Sequence, residues 1–462
     1  MAASNQVKVT DVYKVIPAQN SSEKLSKTVA NNYIPLTFFD AIWIRFPPTQ
    51  RVFFYEINNL SSNFFYQTIL PNLKNSLSIT LQHYPPLAGK VTWHPQTGKP
   101  VISYSPEDAV FLTVAESCAD FDSISTDDFK EAKHLYALLP DLHVSESEAN
   151  VLSLQVTLFP GYGFSIGCCS NHSSMDGKSS AMFLKSWAAI CRLGSLPFEL
   201  TPLFERSLID DPLDICNTFI DDWSKIIDGG LSEEKKRSLV PMEMKPAPGL
   251  YRSTFRLTPD QIGQLKGRIK IKINSHVSSF MAVCSYIWTC LVKAEKGDLT
   301  KETVYLGINI DCRARLEPPI PENYFGNCIK IQLAEAKVAA LEGGDGMVAA
   351  TVAIREVIGN VGDGVLKGAD KWLSGANPVF MGAKMYGIGG SPWFDLYGVD
   401  FGWGRPRKVE MVSIDKNGSF SLCDSREGNG AIEIGIVLSK TNIEAFASIF
   451  AQGLQQLIIS NN

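Results

Sequence analysis

The chain has 462 residues, of which 45% are hydrophobic and 20% charged, and its formal net charge is −5. That length exceeds one ordinary core and implies about two or three domains. The acidic balance, with no basic stripe, excludes a broad nucleic-acid surface, and no run approaches the roughly 18 apolar residues of a membrane span.

The opening MAASNQVKVTDVYKV lacks the apolar segment of a secretory leader. RVFFYEI (51–57) is β-branched and aromatic enough for a strand. NFFYQTILPNLKNSLSITLQHY (63–84) then sets Tyr66, Ile69, Leu70, Leu73, Leu77 and Leu81 at helical spacing, with Pro71 implying a kink or a boundary. VLSLQVTLF (151–159), PGYG and FSIGCCS (164–170) predict a hairpin of alternating strands. Asp176 is a candidate cap for a helix starting near Gly177, with Phe183, Leu184, Trp187 and Cys191 on one face.

Between 201 and 250 the chain turns rich in Pro, Gly and charge around one short helical candidate, which predicts a linker or crossover. EEKKR (233–237) mixes acids and bases and predicts a solvated face. Thr258-Pro259-Asp260 predicts a helix start, and a long helix follows from about Ser278. VYLGINIDCRARL (304–316) predicts a buried strand entering a polar turn, and GMVAATVAIREVIGNV a helix. The tail alternates the strands VEMVSI, SFSLC and IEIGIVL before a last helix, NIEAFASIFAQGLQQLI. The class is therefore α/β, with an N-terminal domain at 1–200, a crossover at 201–250 and a C-terminal domain at 251–462. The ten cysteines show no C-x-x-C spacing, so neither a zinc site nor a disulfide framework is expected. IISNN at the end matches no lipidation or peroxisomal signal. A cytosolic protein, with no metal, is the expectation.

Four places carry candidate chemistry. In CCSNHSSMDGKSS (168–180), His172 sits where a buried strand meets a helix, and a neutral imidazole there is suited to take a proton from a hydroxyl. Asp176, four residues on, either orients that imidazole or caps the helix, and the local pattern leaves both readings open. Just upstream, Gly163-Phe164-Ser165-Ile166-Gly167 fits the G-x-S-x-G elbow of serine hydrolases. Ser165 nevertheless falls inside an alternating strand, where no such elbow forms. Ser278 and Ser279 open a long helix after His276, and either bind an anion or simply cap it. Asp400-Phe401-Gly402-Trp403-Gly404 is dense in glycine and offers no acid–base arrangement, so a structural loop is expected, with Asp400 pairing a nearby arginine or assisting at the site as the second choice.

HxxxD at His172–Asp176 together with DFGWG at 400–404 resembles the plant BAHD acyltransferase family. LTFFD (36–40), NLKNSLSITLQHYPPLAGKV, DCRAR (311–315) and NYFGNC (323–328) extend the resemblance over nearly the whole chain. It looks like the branch that acylates anthocyanins, flavonoids and other phenolic glycosides. The resemblance implies two chloramphenicol-acetyltransferase-like domains, each a mixed sheet with helices, joined by a long crossover loop. It implies a monomer that transfers an acyl group, malonyl favoured, from acyl-CoA to a sugar hydroxyl, with aromatic acyl-CoA as the alternative donor. His172 is then the general base, and no acyl-enzyme forms. Asp176 becomes the organiser of the His172 loop, paired with Arg313. Asp400, Gly402, Trp403 and Gly404 form a structural motif. The CoA is expected at Ser278, Ser279, Arg252 and Ser253, and the substrate pocket at Asp40, Trp393 and Lys178. Where relatives carry Arg or Lys after a GSP segment, this chain has Trp393 after Gly390-Ser391-Pro392, which suits stacking on an aromatic group.

Overall fold

A computed structural model describes residues 7–19, 32–228, 236–295, 297, 299, 302–416 and 418–459. The first six residues, most of EEKKR and most of the terminal IISNN lie outside the described residues. Ten strands are described before the crossover: β1 (Val7–Val15), β2 (Asn32–Pro35), β3 (Thr49–Glu56), β4 (Lys90–Trp93), β5 (Pro100–Tyr104), β6 (Val110–Ser117), β7 (Lys130–Glu131), β8 (Glu148–Asn150), β9 (Leu152–Phe159) and β10 (Gly163–Ser170). Seven are described after it: β11 (Leu250–Leu257), β12 (Thr303–Asp311), β13 (Ile329–Lys337), β14 (Lys384–Gly390), β15 (Lys408–Met411), β16 (Phe420–Asp424) and β17 (Ile432–Ser439). The principal helices are α1 (Phe38–Ala41), α2 (Leu70–His83), α3 (Gly177–Leu193), α4 (Ile215–Asp228), α5 (Pro259–Ile273), α6 (Ser279–Ala294), α7 (Gly346–Gly359) and α8 (Lys440–Ile459).

The predicted hairpin is β9–β10, paired in register from Gly163↔Phe159 to Ser170↔Leu152. Both strands are buried along their whole length, because β10 lies inside a six-stranded mixed sheet of order β1-β6-β9-β10-β3-β15. Helices α2 and α3 cover one face, locked by Trp187, whose Nε1 donates to the Leu73 carbonyl at 3.1 Å. A seven-stranded sheet, β13-β12-β14-β16-β17-β11-β7, forms the second half, and a four-stranded sheet, β2-β5-β4-β8, flanks the first.

Pro71 resolves into a boundary. A wider π turn at Phe65–Ile69 precedes α2, and the proline occupies the first turn of that helix, where its missing N–H is not needed. Thr258 caps α5 reciprocally with Gln261, with Pro259 in the first turn, as the sequence predicts. VEMVSI is only partly a strand: β15 stops at Met411, and a 3-10 turn follows at Val412–Lys416.

The expected partition at 1–200 and 251–462 meets two exchanges. β15 from the second half closes the first sheet beside β3, and β7 from the first half closes the second beside β11. Nor is 201–250 a bare linker. It carries α4, whose Trp223 donates from Nε1 to the Ile42 carbonyl at 3.0 Å, and Met242 N reaches the Arg45 carbonyl at 2.7 Å. The apolar face of α4 binds the crossover to α1, which Pro and Gly content alone does not reveal.

Candidate active site

β10 ends at Ser170, and two polar caps then convert strand into helix. Asn171 Oδ1 accepts from Ser173 N at 3.0 Å and Ser173 Oγ at 2.8 Å, closing a single 3-10 turn over His172–Ser174. Asp176 Oδ1 accepts from Ser179 N at 2.9 Å and starts α3. His172 is left at the corner, where its ring stacks on Trp43 with centroids 3.9 Å apart and planes 2° from parallel. Phe46 approaches the ring edge-on at 6.4 Å. Asn327 Nδ2 donates to the His172 carbonyl at 2.9 Å and fixes the turn from the far side of the molecule.

Burial pushes the His172 imidazole down to about 4, against smaller opposing effects of its own carbonyl, the Asp176 charge and the Asn327 amide. The ring is therefore uncharged near neutral pH. Among the described residues Nδ1 is enclosed without a partner of good geometry, which leaves Nε2 as the nitrogen for an incoming hydroxyl.

Asp176 does not pair with that ring. Its Oδ2 lies 2.8 Å from Arg313 Nη1, with the two side chains 1% and 0% exposed, and it also accepts from Cys328 N at 3.2 Å. Arg313 continues to the carbonyls of Tyr324 and Gly326 at 3.1 and 3.2 Å. Burial works against its charge, but Asp176 and then Asp311 hold the guanidinium protonated above its ordinary value. The carboxylate in HxxxD thus clamps the His172 corner to DCRAR and NYFGNC.

Asp40, expected in the substrate pocket, is fully buried and corrects that expectation. Its Oδ1 accepts from Asn327 N at 2.8 Å and Nδ2 at 3.0 Å, while Oδ2 accepts from Thr37 N and Oγ1, both at 3.0 Å. With both oxygens engaged it has no capacity for a ligand. It supports Asn327, which in turn holds His172.

Arg252 and Ser253, expected at the CoA, are likewise structural. The Arg252 side chain is 2% exposed and pairs with Glu410 and Asp415, each at 3.1 Å, and Ser253 Oγ donates to the Asp127 carbonyl at 2.7 Å. Glu410 also meets Lys130 of β7 at 2.8 Å, so this buried charge cluster joins the two exchanged strands. Lys178 is already shared between Asp311, at 3.3 Å, and Glu322. Ser165 is wholly buried between Phe54 and Thr157 in the middle of the sheet, and no elbow forms there. Ser278 caps α6 through Met281 N at 3.1 Å. Beside it, Lys266, Lys270, His276 and Val277 line a cavity of about 180 Å³.

DFGWG lies against the other end of α3. Asp400 Oδ1 accepts from Gly402 N at 2.8 Å and Gly404 N at 3.0 Å, with both glycines at positive φ, 106° and 101°. Arg192 stands 3.7 Å from Asp400, and Phe401 packs edge-on against Trp187 at 4.8 Å. The loop docks and delivers β15 to β3. Trp393 is 86% exposed, and its neighbour Phe394 lies so close to Gly177 that a Cβ there would be 2.7 Å from the ring. This puts GSPWF beside the start of α3, on the His172 side.

Trp43 and Asn327 escape a reading of single motifs, since neither type at its spacing signals chemistry. Their adjacency to LTFFD and within NYFGNC was the available hint.

Residues 6–452 match the transferase family. The chain is 38% identical over 469 residues to phenolic glucoside malonyltransferase 1 of Arabidopsis thaliana, covering 98% of each. It is 36% identical over 466 residues to the malonyl-CoA:anthocyanidin 5-O-glucoside-6''-O-malonyltransferase of the same plant, covering 98% of this chain and 99% of that one. Among solved structures, vinorine synthase superposes with a TM-score of 0.70 at 20% identity, over 95% of this chain and 96% of that one, which establishes a shared fold.

Proposed function

Because the chain belongs to the BAHD acyltransferases of the transferase family, we propose that it moves a malonyl group from malonyl-CoA to a sugar hydroxyl of a phenolic glucoside, a flavonoid or anthocyanin glucoside included. The observation that carries the reading is His172: an uncharged imidazole, stacked on Trp43 and anchored by Asn327, with no carboxylate paired to it among the described residues. Nε2 removes the hydroxyl proton as the oxygen attacks the thioester carbonyl. The tetrahedral oxyanion collapses, the carbon–sulfur bond breaks, and the departing CoA thiolate recovers the proton from the imidazolium. Trp43 favours the transient cation through its ring face. On this reading the CoA phosphates lie by Lys266, Lys270 and the start of α6, where backbone N–H groups and lysines attract anions. The protein acts as a cytosolic monomer and needs no metal.

A second reading shares the acceptor but takes a hydroxycinnamoyl donor. Trp393 supports it, being an exposed indole next in the chain to Phe394, which packs at Gly177 at the start of α3.

A thiol-release assay crossing malonyl-, acetyl- and coumaroyl-CoA with several phenolic glucosides decides between donors. His172→Ala is expected to lower turnover by about 100-fold or more with folding intact. Near-wild-type turnover in that variant sinks the mechanism, and faster reaction with aglycones sinks the glycoside assignment.

A further inference from the structure

One buried cation lacks a counter-ion. Arg51, on β3, is 7% exposed, yet its side chain makes no hydrogen bond or ion pair among the described residues, and its Nε is enclosed without a partner. Its Nη nitrogens, also unpartnered, are not enclosed, so they open on space that water can reach. An arginine withdrawn from water usually has a carboxylate against it. Here the adjacent groups are the thiols of Cys168 and Cys423. Burial pushes the Cys168 thiol up to about 11 and that of Cys423 well above its ordinary value, so neither supplies a negative charge near neutral pH. The carboxylate of Asp424 is engaged elsewhere, accepting from Leu396 N at 2.9 Å and Tyr397 N at 3.2 Å.

Strand register locates the guanidinium. Arg51 lies opposite Cys168 on β10 and Met411 on β15. Val52 and Phe54 point to the other side of the sheet, while Phe53 and Tyr55 share the Arg51 side. Two residues along that same row, Thr49 Oγ1 and Ser170 Oγ are 2.7 Å apart, and His172 follows two residues later. Across the seam, Met411 abuts Gly389 closely enough that a Cβ there would lie 2.4 Å from its sulfur. Arg51 therefore faces the point where GSPW leaves the second sheet. His172 lies four positions beyond Cys168, at most about 13 Å of chain at ~3.3 Å per residue, a gap that a long arginine and a three-carbon diacid group can divide between them.

We propose that Arg51 binds the free carboxylate of the acyl group, and so selects a dicarboxylic acyl-CoA over a neutral one. This rests on the acyl-CoA-dependent reading of His172 and specifies its donor. The guanidinium faces the carboxylate with two N–H donors, while the thioester end of the same group lies at His172. The space at Arg51 is filled and neutralised only when the diacid is bound, so acetyl-CoA gains nothing there.

The test compares malonyl-CoA and acetyl-CoA, which carry identical CoA phosphates, in wild-type protein, Arg51→Met and Arg51→Lys. Expected is a wild-type preference for malonyl-CoA in kcat/KM, a loss of about 100-fold for malonyl-CoA in Arg51→Met with acetyl-CoA changed only a few-fold, and partial recovery in Arg51→Lys. Equal losses with both donors, or an unchanged preference, overturn the carboxylate assignment while the acyltransferase reading stands. If the wild type releases thiol from other acyl-CoAs but not from malonyl-CoA, the donor reading and this inference fall together. Should Arg51→Met not fold, the Arg51→Lys ratio decides: a malonyl-to-acetyl preference unchanged from wild type overturns the proposal.

Discussion

At His172, depression of the imidazole to about 4 has a signed consequence for stability. Between pH 6.5 and 4 the unfolded chain binds a proton that the folded chain refuses. The stability is complete above the unfolded value near ~6.5 and is lost as pH falls toward the folded one. At ~1.4 kcal/mol per pH unit, the loss from pH 6.5 to 5 is about 2 kcal/mol. Wild-type protein should therefore lose more unfolding free energy than His172→Asn between pH 7 and pH 5, measured by denaturant titration. Parallel losses in the two proteins mean the ring is not desolvated as described. The residue types at 172 and 176 were readable from the sequence. Their separate employment came only with the family resemblance, which pairs Asp176 with Arg313; the local pattern leaves it open, because an Asp at the start of a helix satisfies capping whichever way its second oxygen points, and the 2.8 Å contact with Arg313 settles that.

Among elements, the DFGWG loop and β15 behave as one unit. Asp400 organises the loop by accepting two backbone N–H groups, and the loop carries β15 to the edge of β3. Asp400→Ala leaves those donors to solvent and loosens the strand, with an expected cost of about 1–2 kcal/mol. Turnover should fall less than 10-fold, well short of the roughly 100-fold for loss of the base. Urea midpoints and initial rates read both numbers, and a base-like kinetic defect at unchanged stability would place Asp400 in the chemistry instead. Periodicity revealed α2, α3 and the β9–β10 hairpin because each has a one-sided or continuous apolar pattern, and the Thr258-Pro259-Asp260 start signal revealed α5. It missed that β15 belongs to the first sheet and β7 to the second, since strands of four and two residues carry no record of their partners.

For the whole molecule, the halves are held by the exchanged strands, the Lys130–Glu410–Arg252 cluster and the Asp176–Arg313 clamp. The clamp is asymmetric. Arg313 keeps Asp311 at 3.1 Å if Asp176 is neutralised, whereas Asp176 without Arg313 retains only backbone N–H groups. Arg313→Met is therefore expected to cost about 3–5 kcal/mol and Asp176→Asn less. Thermal unfolding and soluble yield rank the two. The reverse order, or an Asp176→Asn protein of wild-type stability with no turnover, removes the organiser role.

What the sequence determined by itself was class, the principal helices, the β9–β10 hairpin and the identity of the His172 corner, since local caps and apolar periods act over a few neighbours. Only the tertiary structure decided which charges are neutralised and by whom. Asp40, Arg252 and Lys178 have charges and polarity that suit a pocket, but packing encloses the first two and pairs all three. Arg51 looks like an ordinary strand arginine until the second sheet closes over it and provides no anion. Burial and pairing of a charge depend on residues far away in the chain, and that information exists only once the halves meet.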